Sequence, residues 1–272
     1  MNSYLLAVIL GVVEGLTEFL PVSSTAHLRL SQALMGLQLS DEYWKMFAIV
    51  IQLGAILSLF VVFRVRLQQF FNFKNGLSPL LKKVMVAFVV TAGPAFLLSK
   101  IIGHNLESLK VIGSSLLVGG IIMIVVDFVC TSGRTMNVDQ MTWLQAIAVG
   151  VGQIFSALFP GTSRSMATIA SGQIFGMARS AALEFSFLVS IPTMMAATGY
   201  DLLKTLRHSE GQVLSSAEQW VTLGIGFIVS FIVALGVVFW FLKWVRTRGF
   251  TIFGVYRIIL GLVVLTSNVF GS

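Results

Sequence analysis

Residues 11–28 read GVVEGLTEFLPVSSTAHL, an apolar run that carries two carboxylates, a cluster of hydroxyls and an imidazole. Ionisable groups inside a membrane segment are costly and mark function by default. Glu14 and Glu18 are spaced i,i+4, so one helical face presents both carboxylates about one turn apart. Like charges that close want a cation. Pro21 is expected to break the helix, and Ser23, Ser24 and Thr25 then offer N-cap side chains for a short second helix with His27 on its first turn. A helix start of this kind attracts phosphate.

The stretch has an echo at Gly150 to Ala167, GVGQIFSALFPGTSRSMA, at a constant offset of 139 residues that pairs Gly11 with Gly150, Pro21 with Pro160 and Ser24 with Ser163. The carboxylates are not repeated: Gln153 and Ala157 stand opposite Glu14 and Glu18, and Arg164 stands opposite Thr25. One copy is acidic and the other cationic. An offset close to half of 272 residues points to an internal duplication whose copies have divided the chemistry.

Working outward, 56% hydrophobic residues, 11% charged residues and a mean hydropathy of +0.91 exclude an ordinary soluble domain. The chain reads as a single integral membrane domain over 1–272, all-α and polytopic. Its first repeat, 1–133, carries the acidic hairpin and its second, 140–272, carries PGTSRS, with a polar linker at Thr131 to Gln140 between them. Apolar runs at Met46–Phe63, Val84–Leu98, Val111–Cys130, Leu183–Leu203, Trp220–Leu242 and Phe250–Val269 give six expected transmembrane helices. Each arm of the two hairpins is about 15 residues, about 22 Å at helical rise, short of the roughly 30 Å hydrocarbon core. Both hairpins therefore read as re-entrant, their irregular backbone tolerated where it is buried in protein or lines a wet cavity. An odd number of spans per half inverts the second repeat, and the hairpin tips can then meet near the midplane.

The lone Cys130 excludes an intramolecular disulfide, and the N-terminus shows no cleavable signal pattern. Ten Lys and Arg residues on one side of this topology (Arg64, Arg66, Lys74, Lys82, Lys83, Arg134, Arg179, Lys243, Arg246, Arg248) face five on the other (Lys45, Lys100, Lys110, Lys204, Arg207). The richer side is expected to be cytoplasmic, with both termini and the mouth of the acidic hairpin outside. The net charge of +7 is explained by this bias and implies no nucleic-acid partner.

Three site readings follow from residue type and spacing. Glu14 and Glu18 suit a hard divalent cation, Mg²⁺ or Ca²⁺, that shares its shell with phosphate and water; a pair that faces a water cavity is the alternative. Arg164, with Ser163, Ser165 and Thr168 at a helix start, is arranged as a clamp for a multivalent oxyanion, and a salt bridge from Arg164 to a glutamate is its alternative. His27, three residues after Ser24, is placed to reach that hydroxyl or a water as general base. His104 and His208 read as loop residues, Asp127 and Asp201 as snorkelling span-end residues, and Arg257 as an ion-pair or helix-end residue.

The EGLTEFLPVSSTAH and PGTSRSMAT segments resemble the two signature motifs of the bacterial undecaprenyl-diphosphate phosphatases of the bacitracin-resistance type. The likeness extends through FAIVIQLGAIL and EFSFLVSIP and so covers essentially the whole chain. It implies an enzyme of the bacterial inner membrane, its site open to the periplasmic side, that cuts the terminal phosphate from undecaprenyl diphosphate and recycles the carrier for peptidoglycan synthesis. Partners are then the lipid substrate and membrane lipid, with homodimerisation open. Carried over by position, the catalytic set is Glu14, Glu18, Ser24, His27 and Arg164, and the phosphate-binding set is Ser23, Thr25, Gly161, Ser163, Arg164, Ser165 and Thr168. Ala26 where the family has glycine, and Thr162 where the residue varies, touch no catalytic role. The nucleophile stays open between Ser24, His27 and a metal-bound water, with Ser24 assisted by His27 favoured. A lipid-carrier flippase is the competing reading, because inverted repeats with broken helices also build transporters.

Overall fold

The computed structural model describes residues 2–38, 41–70, 76–98, 108–131, 133–208 and 216–267. Lys74, Lys100 and His104 lie outside the described residues, as does the side chain of His208. Among the described residues the structure is all-helical, in agreement with the expected class.

The first hairpin consists of α1 (Ser3–Thr17) and α2 (Ser24–Leu34), the second of α7 (Trp143–Leu158) and α8 (Arg164–Ile174). α1 ends at Thr17, ahead of the proline expected to stop it, and Glu18 caps it with helical backbone angles, its N–H donating to Glu14 O at 2.9 Å, so the two acids stay one turn apart. The inner helices are started by Ser23 and Ser163, whose side chains accept from Ala26 N and Met166 N. Both serines have positive φ, 75° and 69°, the only described non-glycine residues that do. A serine held left-handed while it caps a helix is strained, and such strain gathers at functional sites. The matched caps correct the expected register. The second break holds one more residue between proline and cap, so Ser163 falls opposite Ser23 and Arg164 opposite Ser24.

Five helices are long and apolar enough to cross a membrane: α3 (Glu42–Val62), α5 (Pro79–Leu97), α6 (Leu109–Val129), α9 (Arg179–His208) and α10 (Ala217–Thr247). The sixth expected span corresponds to α11 (Thr251–Thr266), a shorter apolar helix of 16 residues. The basic stretch after α3 was expected as loop and contains α4 (Arg64–Phe70). Within the expected linker, Thr131 to Gln140, the chain bonds to the turn between α8 and α9. Its buried Val138 opens a short 3-10 turn, and Thr135 N donates to Gly176 O at 3.0 Å while Ala178 N donates to Thr135 O at 2.9 Å.

Helices approach through small residues, the usual device where lipid supplies no hydrophobic drive for association. A Cβ on Gly11 of α1 would lie 2.8 Å from Gly226 O of α10, and one on Gly150 of α7 would lie 2.7 Å from Ala87 O of α5. Each hairpin's outer arm is thus packed on a helix from the opposite half of the chain. α6 and α11 close against each other at Gly120 and Gly254, where a Cβ on Gly120 would lie 2.7 Å from Gly254 O and one on Gly254 2.9 Å from Gly120 O. Asp127, expected to snorkel, is instead buried: it accepts from Phe250 N at 2.8 Å and Thr251 N at 3.1 Å and pairs with Arg179 Nε at 2.7 Å. It fixes where α11 begins.

Candidate active site

Glu18 stands where the two breaks meet. Its carboxylate is buried and shared, Oε2 accepting from Ser24 Oγ at 2.5 Å and Oε1 from Arg164 Nη2 at 3.4 Å. The opening residues of the two inner helices therefore converge on one acid. Beneath them Phe19 packs edge-on against Phe187 of α9 at 5.4 Å, and the Arg164 guanidinium lies 6.0 Å from the Phe19 ring. Those rings exclude water from one side of the carboxylate, where its interactions are stronger than in solution.

One turn back, Glu14 is 1% exposed, and neither of its oxygens has a hydrogen-bond partner among the described residues. A buried carboxylate left so costs several kcal/mol unless a cation or a proton neutralises it. Among the described residues no group of three or more His, Cys, Asp or Glu side chains is placed to hold a metal. Any ion here has the Glu14–Glu18 pair as its protein ligands and must complete its shell elsewhere. That donor set, hard oxygens with an incomplete cage, fits Mg²⁺ more closely than a metal that demands a full protein shell.

Arg164 is loosely held. Besides Glu18 it reaches Ser186 O, again at 3.4 Å, and its Nε has no partner among the described residues. Planar donors with weak partners at the head of a helix are available to an incoming oxyanion. The neighbouring hydroxyls are already engaged: Ser165 Oγ donates to Leu20 O at 3.0 Å, Ser163 pairs with Ser165 at 3.0 Å, and Thr168 pairs with Ser186 at 2.6 Å. These bonds hold one hairpin against the other and against α9. Gly161 has φ 95°, and a Cβ there would meet Ile112 O at 2.5 Å, so no larger residue fits the turn. Thr25 is half-buried on the first turn of α2.

His27 does not meet Ser24. Helical side chains lean back toward the N-terminus, and its Nδ1 lies 2.7 Å from Ser23 O, four residues earlier, while Nε2 lies 2.6 Å from the hydroxyl of Tyr256. A carbonyl can only accept, so Nδ1 carries the proton and, in the neutral ring, Nε2 receives the tyrosine O–H. The two rings are stacked, with centroids 5.6 Å apart.

Next to Tyr256, Arg257 is fully buried and has no carboxylate partner among the described residues, unlike the expected ion pair or helix end. It donates to Pro21 O at 3.2 Å, to Ser115 O at 3.1 Å and to Gly161 O at 2.9 Å. One guanidinium thus ties the first break, α6 and the second break together. Arg257 was visible in the sequence as an intramembrane charge, but nothing near it in the chain names carbonyls so distant. Tyr256 carried no signal.

Fold and site together define a polytopic helical membrane protein in which two broken hairpins bring acid, hydroxyl, imidazole and guanidinium to one buried point. The family model described as bacitracin resistance protein BacA matches residues 7–263, and the chain belongs to that family. It is 59% identical to the undecaprenyl-diphosphatase of Koribacter versatilis, over 97% of this chain and 98% of that protein. Undecaprenyl-diphosphatases of Aquifex aeolicus and Campylobacter jejuni are 43% and 41% identical, over 94% and 95% of this chain and 95% and 92% of theirs.

Proposed function

We propose that this chain hydrolyses undecaprenyl diphosphate to undecaprenyl phosphate and inorganic phosphate, and so confers bacitracin resistance and returns the carrier to cell-wall synthesis. The observation that carries the reading is the shared carboxylate of Glu18, which holds a hydroxyl on one oxygen and a guanidinium on the other. Ser24 Oγ attacks the terminal phosphorus and its proton passes to Glu18, the base already bonded to it. The bond from that phosphorus to the bridging oxygen breaks, and undecaprenyl phosphate leaves with the bridging oxygen. Water then cleaves the phosphoserine, releasing inorganic phosphate and restoring Ser24. Arg164, freed from its long bonds, moves onto the phosphoryl oxygens as charge gathers there, which is the main catalytic need in this chemistry. His27, anchored by Tyr256 and Ser23 O, orients the first turn of α2 beneath the reacting group.

Glu14 and Glu18 would hold Mg²⁺, which supplies Lewis-acid charge neutralisation when bound. The helices form an inverted repeat, 1–133 and 140–272, with α3, α5, α6, α9, α10 and α11 as its six spans and the hairpins re-entrant. The reciprocal packing of α1 on α10 and α7 on α5 supports that reading. The protein lies in the bacterial inner membrane with the site open to the periplasm, as the Lys and Arg distribution favours. Phosphate release from undecaprenyl diphosphate in detergent, with Mg²⁺ and with a chelator, tests the assignment. Release that needs the metal and falls at least about a hundredfold in Arg164→Ala is expected; full release by Arg164→Ala refutes the clamp.

A further inference from the structure

The first turn of α5 calls for a negative group that the chain does not supply. α3, α6, α7 and α10 each open on a side chain that accepts from the first turn, namely Asp41, Ser108, Thr142 and Ser216. α5 opens on Ser78, whose hydroxyl makes no such bond, and its first turn holds no acid. Pro79 has no N–H, but those of Leu80 and Leu81 are left without a cap at the positive end of the helix dipole. Lys82 and Lys83 follow at once, cations where acids are the stabilising choice.

Lys83 points to the same missing anion independently. It is 8% exposed, yet among the described residues its ammonium has neither a hydrogen bond nor an acid partner. Asp139, on the short turn that packs against α5, is taken by Arg66 at 2.9 Å. What the ammonium faces is the ring of Trp143, 6.0 Å from Nζ to the centroid. Trp143 is the first residue of α7, so the amine is held at the level of the two helix starts, as the lean of helical side chains toward the N-terminus requires. The two helices continue side by side from there, Thr91 Oγ1 donating to Gly150 O at 2.9 Å. An unpaired buried ammonium, an exposed Lys82 and uncapped amides thus share one cleft.

Beyond the cleft the outer faces of both helices are apolar. Met85 and Val89 of α5 and Ile147 and Val151 of α7 are all exposed, and half-exposed Trp143 stands at the rim as interfacial tryptophans do. The charges alone would accept any phosphate, but those faces suit one that carries acyl chains. We propose that the cleft between the first turns of α5 and α7 binds the phosphodiester of an anionic phospholipid, whose chains lie along the two apolar faces. Basic pockets between membrane helices take such head groups. α7 separates the cleft from the hairpin break by its 16 residues, about 24 Å at helical rise, so the site is distinct from the reacting centre and does not rest on the diphosphatase reading.

The test offers the purified chain, in neutral detergent, equimolar phosphatidylglycerol and phosphatidylcholine with the same acyl chains, and native mass spectrometry reads which lipid is retained. Wild type is expected to keep one phosphatidylglycerol in preference to phosphatidylcholine. Lys83→Met is expected to weaken that retention about tenfold, the scale of one charge-assisted bond. Ser78→Asp, which supplies the missing anion from the chain itself, should weaken it by a similar factor and raise the thermal midpoint without lipid; it keeps the test open should Lys83→Met fail to fold. Lys243→Gln, a basic residue on the same face of the topology, should leave retention within about twofold. No preference in wild type, or full retention by Ser78→Asp and by a folded Lys83→Met, would overturn the site. An equal loss in Lys243→Gln would overturn it in favour of diffuse attraction to a basic surface. Displacement of the lipid by millimolar inorganic phosphate would overturn the assignment to lipid.

Discussion

At the scale of single residues the chemistry depends on what Glu18 touches. Its contacts to Ser24 at 2.5 Å and Arg164 at 3.4 Å are those the proposed reaction uses, the first to take a proton and the second as a tether. Glu18→Gln keeps the shape but accepts on one atom in place of two and cannot take the serine proton. It is expected to lower kcat by about a hundredfold to ten-thousandfold, the usual worth of a positioned base, with little change in thermal midpoint. A variant within tenfold of wild type would remove Glu18 from that role. Glu14, Glu18, Ser24, His27 and Arg164 were all legible in the sequence, because each lies in a short motif that forces polar groups into an apolar segment. Tyr256 was not, because its bond to His27 joins residues 229 positions apart. The expected pairing of His27 with Ser24 also failed on a local point: spacing placed the two on one turn, but the lean of helical side chains sends the imidazole to Ser23 O.

At the scale of elements the two breaks are positioned from outside. Arg257 reaches Pro21 O, Ser115 O and Gly161 O from the middle of α11, while Asp127 and Arg179 fix the start of that helix. Arg257→Met leaves the buried Pro21 and Gly161 carbonyls without this donor, at about 1–3 kcal/mol each. The expected outcome is a lower thermal midpoint in detergent together with loss of phosphate release. Arg257→Lys should recover little, because one ammonium has no planar fork with which to serve carbonyls on separate elements. An unchanged midpoint in Arg257→Met would show that the breaks hold without the clamp. Proline and serine made both breaks visible in advance, but a constant offset hid the extra residue in the second. That residue matters, since it sets Arg164 opposite Ser24 and lets both converge on Glu18.

At the scale of the molecule, apolar composition fixed the class, and the internal echo disclosed the two hairpins. The length of the last helix could not be read from hydropathy alone: the apolar run from Phe250 extends past the point where α11 ends, at Thr266. Reciprocal packing of the hairpins was equally hidden, since it depends on Gly11 and Gly150 meeting carbonyls of helices in the other half. The proposed orientation has a direct check in a Cys130→Ser background that carries Lys45→Cys or Arg248→Cys. A membrane-impermeant thiol reagent applied to intact cells should label position 45 and not position 248; the reverse would turn the molecule over.

The central claim is that one hydroxyl, held on a carboxylate shared by two hairpins, attacks phosphorus. Phosphate release from undecaprenyl diphosphate by Ser24→Ala, in the same detergent and metal as wild type and at matched fold integrity, tests it most directly. The account predicts a fall of about three orders of magnitude or more, as for removal of other enzymatic nucleophiles. Release within about tenfold of wild type, well below that scale, would contradict it and move the attack to water or to His27.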